Sequence, residues 1–134
     1  MNKNFSKEAV KEALELKLSR YFGVNAEDAN QEQIYKATIL TVKDILTQKR
    51  SSFKHKVKKE KAKKVYYLCM EFLIGRSLKN NLRNLGLAEY YTEVLKEYGF
   101  DIEEIYEMEP NPGLGNGGLG RLAYARYELR NRTS

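Results

Sequence analysis

The sequence predicts an α/β fold, mostly helical with one or few strands. Three observations carry that prediction: two N-terminal stretches whose apolar residues recur at helical spacing, one continuous apolar run starting at Val65, and a return to short helical periods after Gly75. The chain has 134 residues, 42% of them hydrophobic and 31% charged. That suits one ordinary soluble domain, or part of one, and is too little for two well-buried domains.

From Lys7 to Phe22 the apolar positions Val10, Ala13, Leu14, Leu18, Tyr21 and Phe22 line one helical face, with Ser6 placed to cap the start and Gly23 to stop the end. A second helix is expected from about Gln31 to Lys49. Asn30 and Gln33 stand at capping-box spacing before it, and Ile34, Ala37, Thr38, Thr41, Ile45 and Leu46 run down one side. Lys49 to Lys64 has no apolar period, only Phe53 and Val57 among the charges, and reads as an exposed connector or a frayed helical arm, with loop as its default state.

Val65-Tyr66-Tyr67-Leu68-Cys69-Met70 is apolar and β-prone without alternation, the pattern of a strand buried on both faces. A single such strand needs pairing partners from elsewhere, because its backbone donors and acceptors must be satisfied away from water. Helical spacing then returns over Ser77 to Leu85, Ala88 to Tyr98 and Asp101 to Met108, broken by Gly86 and Gly99, before Pro110-Asn111-Pro112 ends helicity.

Composition excludes several function classes. Cys69 and His55 are the only cysteine and histidine, so no intrachain disulfide forms and no Cys/His zinc site can be assembled; no metal site is expected. No run approaches the roughly 18 apolar residues of a membrane span, and the start lacks a signal-peptide core, so a cytoplasmic protein without membrane contact is the expectation. The net charge of +6 is local: Lys49 to Lys64 carries +8, which leaves −2 elsewhere. One solvated basic segment is a weaker argument for nucleic acid than a basic domain would be.

The most unusual local composition is Gly113 to Gly120, which holds five of the nine glycines. It contains GxGxxG twice, yet the upstream stretch is an acidic helix rather than a strand, and no ribose-binding acid stands about 20 residues on, so a dinucleotide fingerprint fails on context. No GxxxxGK[ST] occurs, which removes the P-loop. Glycines still let backbone approach a ligand, and Gly118-Leu119-Gly120-Arg121-Leu122-Ala123 has the pattern of a helix start whose N–H groups favour an anion such as phosphate. A tight structural turn is the alternative reading, and Asn116 fits either a ligand contact or a residue that tolerates positive φ.

Gly113-Leu114-Gly115-Asn116-Gly117-Gly118-Leu119-Gly120-Arg121-Leu122-Ala123 resembles the glycine-rich active-site loop of the α-glucan phosphorylases of the glycogen, starch and maltodextrin type. Val65 to Leu78, including Glu71-Phe72-Leu73-Ile74-Gly75-Arg76-Ser77, resembles that family's strand and turn, and Asn81, Asn84 and Leu85 continue the match. Two blocks in order are far more specific than GxGxxG alone.

The resemblance implies the N-terminal portion of a two-domain GT-B type glycosyltransferase fold, cut short. Together with the residue patterns above, which alone give N-terminal helices over 1–50 and a basic connector over 51–64, it places the start of the phosphorylase N-terminal domain with its loop over 65–123 and a divergent tail over 124–134. It further implies phosphorolysis of terminal α-1,4-linked glucose by inorganic phosphate with pyridoxal phosphate as cofactor, in a family that is typically homodimeric. Carried over by position, Gly117 and Gly118 present N–H groups to the substrate phosphate, Leu119 lies against the glucosyl unit and Asn116 shapes the loop. Glu71 and Arg76 border the cleft, with a structural salt bridge as an equal alternative for each. Leu73 stands where the family often has a tyrosine near the cofactor.

Past Ala123 the resemblance stops. Four of the eight arginines lie in Arg121 to Ser134 while no lysine follows Lys96, and a foreign or out-of-frame ending is the expectation from that shift. The family's cofactor lysine has no counterpart here, so none of the present lysines takes that role and the chain alone is expected to be inactive. Two other readings remain: a small protein whose lysine segment binds a polyanion or nucleic acid, disfavoured because no nucleic-acid motif accompanies it, and a structural or regulatory fragment docking on a larger partner.

Overall fold

The computed structural model describes residues 5–63, 66, 68, 70–71, 75–113, 118 and 121–122. The chain divides into two compact units. One holds the chain up to Ala62 together with Leu78–Met108, and the other holds Lys63–Ser77 and the chain from Glu109 onward.

The first unit is helical, and its boundaries follow from local chemistry. Helix α1 spans Lys7–Phe22; Ser6 Oγ accepts the Ala9 N–H at 3.2 Å, and the Gly23 N–H closes the end on the Ser19 carbonyl at 3.0 Å. A 3-10 turn over Ala26–Asp28 leads to helix α2, Gln31–Lys59. Its capping box is complete: Asn30 Oδ1 accepts the Gln33 N–H and Gln33 Oε1 accepts the Asn30 N–H, both at 2.9 Å.

Helix α2 runs ten residues beyond the end that its apolar period predicts, so the basic stretch up to Lys59 is helix rather than loop. It stops in a Schellman arrangement in which the Ala62 N–H reaches the Val57 carbonyl at 3.2 Å and the Lys61 N–H the Lys58 carbonyl at 3.3 Å. Lys61 takes the left-handed position at φ 47, where glycine is the usual occupant. No glycine punctuates the sequence there, which is why its end is hard to read from residues alone. The same motif closes α3, Leu78–Asn84, and α4, Ala88–Glu97, this time with glycine: Leu87 N–H to the Leu82 carbonyl over Gly86, and Phe100 N–H to the Leu95 carbonyl over Gly99, each at 2.9 Å. Helix α5, Ile102–Glu107, starts at Asp101, whose Oδ1 accepts the Glu103 N–H at 2.9 Å.

α1 packs on α2 and α4, α4 also meets α5, and α2 meets α3 and α5. Leu14 and Leu18 of α1, Ile34 of α2, Leu82 of α3, Tyr91 and Leu95 of α4, and Ile105 of α5 are enclosed completely. Each such aliphatic side chain contributes roughly 1.5–3 kcal/mol through burial. Two residues expected on packed faces are exposed instead. Tyr21 falls one position off the line of Leu14, Leu18 and Phe22 and carries Lys17 Nζ at 5.2 Å from its ring centre, and Leu46 stands one position past Ile45, which packs on the core.

The expected strand over Val65 to Met70 needs correction. Tyr66, Leu68 and Met70 are in no strand and are 80%, 94% and 92% exposed, the reverse of a strand buried on both faces. An apolar run becomes a buried strand only where neighbouring strands satisfy its backbone, and no strand occurs among the described residues. The fold is therefore mostly helical; the rest of that run, with Val65, Tyr67 and Cys69, lies outside the described residues.

Candidate functional site

The second unit brings together the two sequence blocks that carry the family resemblance. Glu109 and Asn111 each precede a proline, which drives both away from helix, so the chain leaves α5 and enters Gly113 as non-helical backbone. The Gly75-Arg76-Ser77 turn lies alongside it. The Gly75 N–H donates to the Pro112 carbonyl at 3.3 Å. Two residues on, the Ser77 N–H donates to both carboxylate oxygens of Glu109 at 2.9 Å, and Ser77 Oγ donates to Glu109 Oε1 at 3.1 Å.

Gly75 is buried and holds φ at 71, a conformation that side chains resist. A Cβ there would stand 3.3 Å from Arg121 Nη1 and 3.5 Å from Asn111 Oδ1. The residues just before and just after the glycine-rich stretch thus converge on one glycine.

Of the residues singled out from sequence, Glu71 is half-buried, with Oε2 enclosed and making no hydrogen bond among the described residues. Arg76 is exposed and engaged with a partner. Gly118 is exposed and helical in conformation, as are Arg121 and Leu122, and nothing lies within 4 Å of where its Cβ would be. Asn116, Gly117 and Leu119 lie outside the described residues. Sequence reasoning missed Gly75, Ser77 and Glu109 as the frame of this unit. Ser77 and Glu109 are 32 residues apart, and no local pattern links them.

Away from this unit, the α2 extension carries Lys49, Arg50, Lys54, Lys56, Lys58 and Lys59 in the open, with Phe53 exposed among them. Lys56 sits 4.0 Å from Glu60. Among the described residues no group of three or more His, Cys, Asp or Glu is placed to hold a metal ion, and no helix is long and apolar enough to cross a membrane.

No family model matches the chain. Comparison with individual proteins gives a different result. The glycogen phosphorylase of Haemophilus influenzae is 41% identical over 116 residues, covering 87% of this chain and 14% of that protein. The glycogen phosphorylase of Chlamydia trachomatis is 61% identical over 61 residues, 46% of this chain and 8% of that protein. Alpha-glucan phosphorylase 1 of Arabidopsis thaliana is 47% identical over 87 residues, 65% of this chain and 9% of that protein.

The chain belongs to the α-glucan phosphorylase family. As a phosphorylase sequence it spans 14% or less of the length of these relatives. In this phosphorylase chain the Gly75 turn and the residues flanking the glycine-rich stretch form one unit, joined by the hydrogen bonds described above.

Proposed function

We propose that this chain supplies the glycine-loop part of an α-glucan phosphorylase site, in which inorganic phosphate cleaves a terminal α-1,4-linked glucose to glucose 1-phosphate. The observation that carries the reading is the convergence of Asn111, Pro112 and Arg121 on Gly75, which ties both flanks of Gly113 to Gly120 to the turn that follows Glu71. In this reading the N–H groups of Gly117 and Gly118 stabilise the phosphate charge, Asn116 shapes the loop, and Leu119 lies against the sugar. Backbone donors held in fixed geometry stabilise such charge without reorganising. Glu71 and Arg76 border the same cleft.

The family's pyridoxal phosphate supplies acid/base chemistry when bound. The described residues do not fit it: the cofactor needs a lysine for its Schiff base, and the second unit's described lysine, Lys63, is exposed. This stretch is accordingly assigned to substrate contact, within a two-domain GT-B type enzyme that is a cytoplasmic homodimer.

A chimera tests the reading. This chain's residues replace the matching segment of the Haemophilus influenzae enzyme, and glucose 1-phosphate release is measured from maltodextrin and phosphate. Retained release supports the assignment; a folded, inactive chimera refutes it. The isolated chain is expected to release none, because backbone donors neither form a Schiff base nor transfer a proton.

A further inference from the structure

We propose that Glu109 is a positioning residue: by clamping Ser77 it fixes the direction in which the chain enters the glycine-rich stretch, and so sets affinity for phosphate. The proposal rests on the phosphorolysis reading for its substrate and on geometry for its residue.

Five of the eight residues from Gly113 to Gly120 are glycine, the residue whose own side chain constrains the backbone least. At the entry, one carboxylate takes three hydrogen bonds from a single residue, the Ser77 N–H at 2.9 Å to each oxygen and Ser77 Oγ at 3.1 Å. Hydrogen bonds to an ionised acceptor are stronger than neutral ones.

The segment that follows transmits the constraint. Pro110 and Pro112 fix their own φ angles and restrict Glu109 and Asn111, so little freedom remains between the carboxylate-bearing residue and the Pro112 carbonyl. That carbonyl accepts the Gly75 N–H at 3.3 Å, giving a second rung two residues from the first. Gly113 follows directly after this anchored pair. At the exit, Arg121 Nη1 stands 3.3 Å from the position of a Cβ on the same Gly75. Entry and exit are referenced to one turn, and Glu109 is the carboxylate of that reference.

Two measurements decide the proposal, using Glu109→Gln and the milder Ser77→Ala. In the 15N-labelled full chain, Glu109→Gln should move the amide resonances of Gly113 and Gly118 and remove exchange protection at Ser77, while Leu14 and Tyr91 stay in place. In the chimera, the same substitution should raise KM for phosphate about tenfold, less than the roughly hundredfold loss that a 1 Å misplacement can cause, and raise KM for maltodextrin by a smaller factor. Ser77→Ala should fall between Glu109→Gln and the unsubstituted protein, and Ser77→Thr, which keeps the hydroxyl, should behave as the unsubstituted protein. Resonance changes confined to Ser77, with Gly113 and Gly118 unmoved, would overturn the proposal, as would an unchanged phosphate KM in a folded Glu109→Gln chimera. An unsubstituted chimera that releases no glucose 1-phosphate defeats the phosphorolysis reading instead, and the resonance measurement then decides Glu109 by itself.

Discussion

The hydroxyl of Tyr98 donates to Glu15 Oε1 at 2.6 Å, tying the end of α4 to α1 across 83 residues of sequence. Lys11 Nζ lies 5.5 Å from the centre of the same ring. Burial is the largest cause that pushes the Tyr98 phenol above its ordinary range, followed by its hydrogen bond to Glu15 and the charges of Glu15, Glu97 and Glu27. Burial also pushes Tyr91 up, opposed by its contact with Thr41.

These shifts set an alkaline limit on stability. Each phenol has a folded pKa above its unfolded value, so the contribution is complete below about pH 10, where unfolded tyrosine titrates, and falls as pH rises from there toward the folded pKa. Chemical denaturation midpoints should decline above about pH 10, and phenolate absorbance should show Tyr91 and Tyr98 ionising with unfolding rather than before it. Tyr98→Phe should weaken the alkaline decline. Phenolate formation complete in the folded chain near pH 10 contradicts the assignment.

Tyr91 supports a second test, because its hydroxyl is buried and, among the described residues, meets the geometry of no hydrogen bond, with Thr41 its polar neighbour. Thr41 lies beside it, with its own hydroxyl hydrogen committed to the Ala37 carbonyl at 2.8 Å. Tyr91→Phe should therefore change stability by no more than about 1 kcal/mol and lean toward stabilisation, since an unsatisfied buried group is removed. Leu14→Ala at a fully enclosed site should cost about 2–5 kcal/mol. Urea titration of both variants checks the contrast, and equal losses would place an unseen partner on Tyr91.

Hydrogen exchange should divide α2 in two. Ile34, Ala37, Thr38, Thr41 and Val42 are buried, whereas from Leu46 to Lys59 only Val57 is even half-buried. Backbone hydrogen bonds exposed to water open locally at far lower cost than those over a core. Amides from Lys49 to Lys59 should exchange orders of magnitude faster than those from Ile34 to Val42. Uniform protection along the helix would mean that a partner covers the extension.

The exposed side chains of Tyr66, Leu68 and Met70 predict self-association, because large apolar side chains left in water recruit further apolar surface. Leu68→Ser combined with Met70→Ser should raise the concentration at which light scattering first detects aggregates and leave the melting of the helical unit unchanged. A monodisperse parent chain at high concentration sinks the idea.

The helical unit was largely legible in the sequence, because its signals are local. Ser6 with Gly23, Asn30 with Gln33, and Gly86 and Gly99 each act within one turn of the residue they bound. The end of α2 was not, since Lys61 holds a left-handed position without the glycine that would announce it. Tyr66, Leu68 and Met70 misled for a different reason: β propensity describes what a run favours once neighbouring strands exist. In the candidate site the glycine-rich stretch was legible as a motif, while its frame was not. The Ser77–Glu109 pair joins one residue beside a turn to another beside a proline, and neither position signals the other.

That pair also bears on the order of assembly. The second unit is built from two separate lengths of chain, and α3, α4 and α5 lie between them. While the backbone is continuous, Ser77 and Glu109 meet as two points on one polymer, and closing that loop costs an entropy that grows only with the logarithm of its length. A single peptide cut between Gly99 and Asp101 would leave every hydrogen bond of the clamp chemically intact. It would nevertheless turn closure into an encounter whose strength depends on how well the severed helices hold together, and the clamp would inherit the effective concentration that they provide.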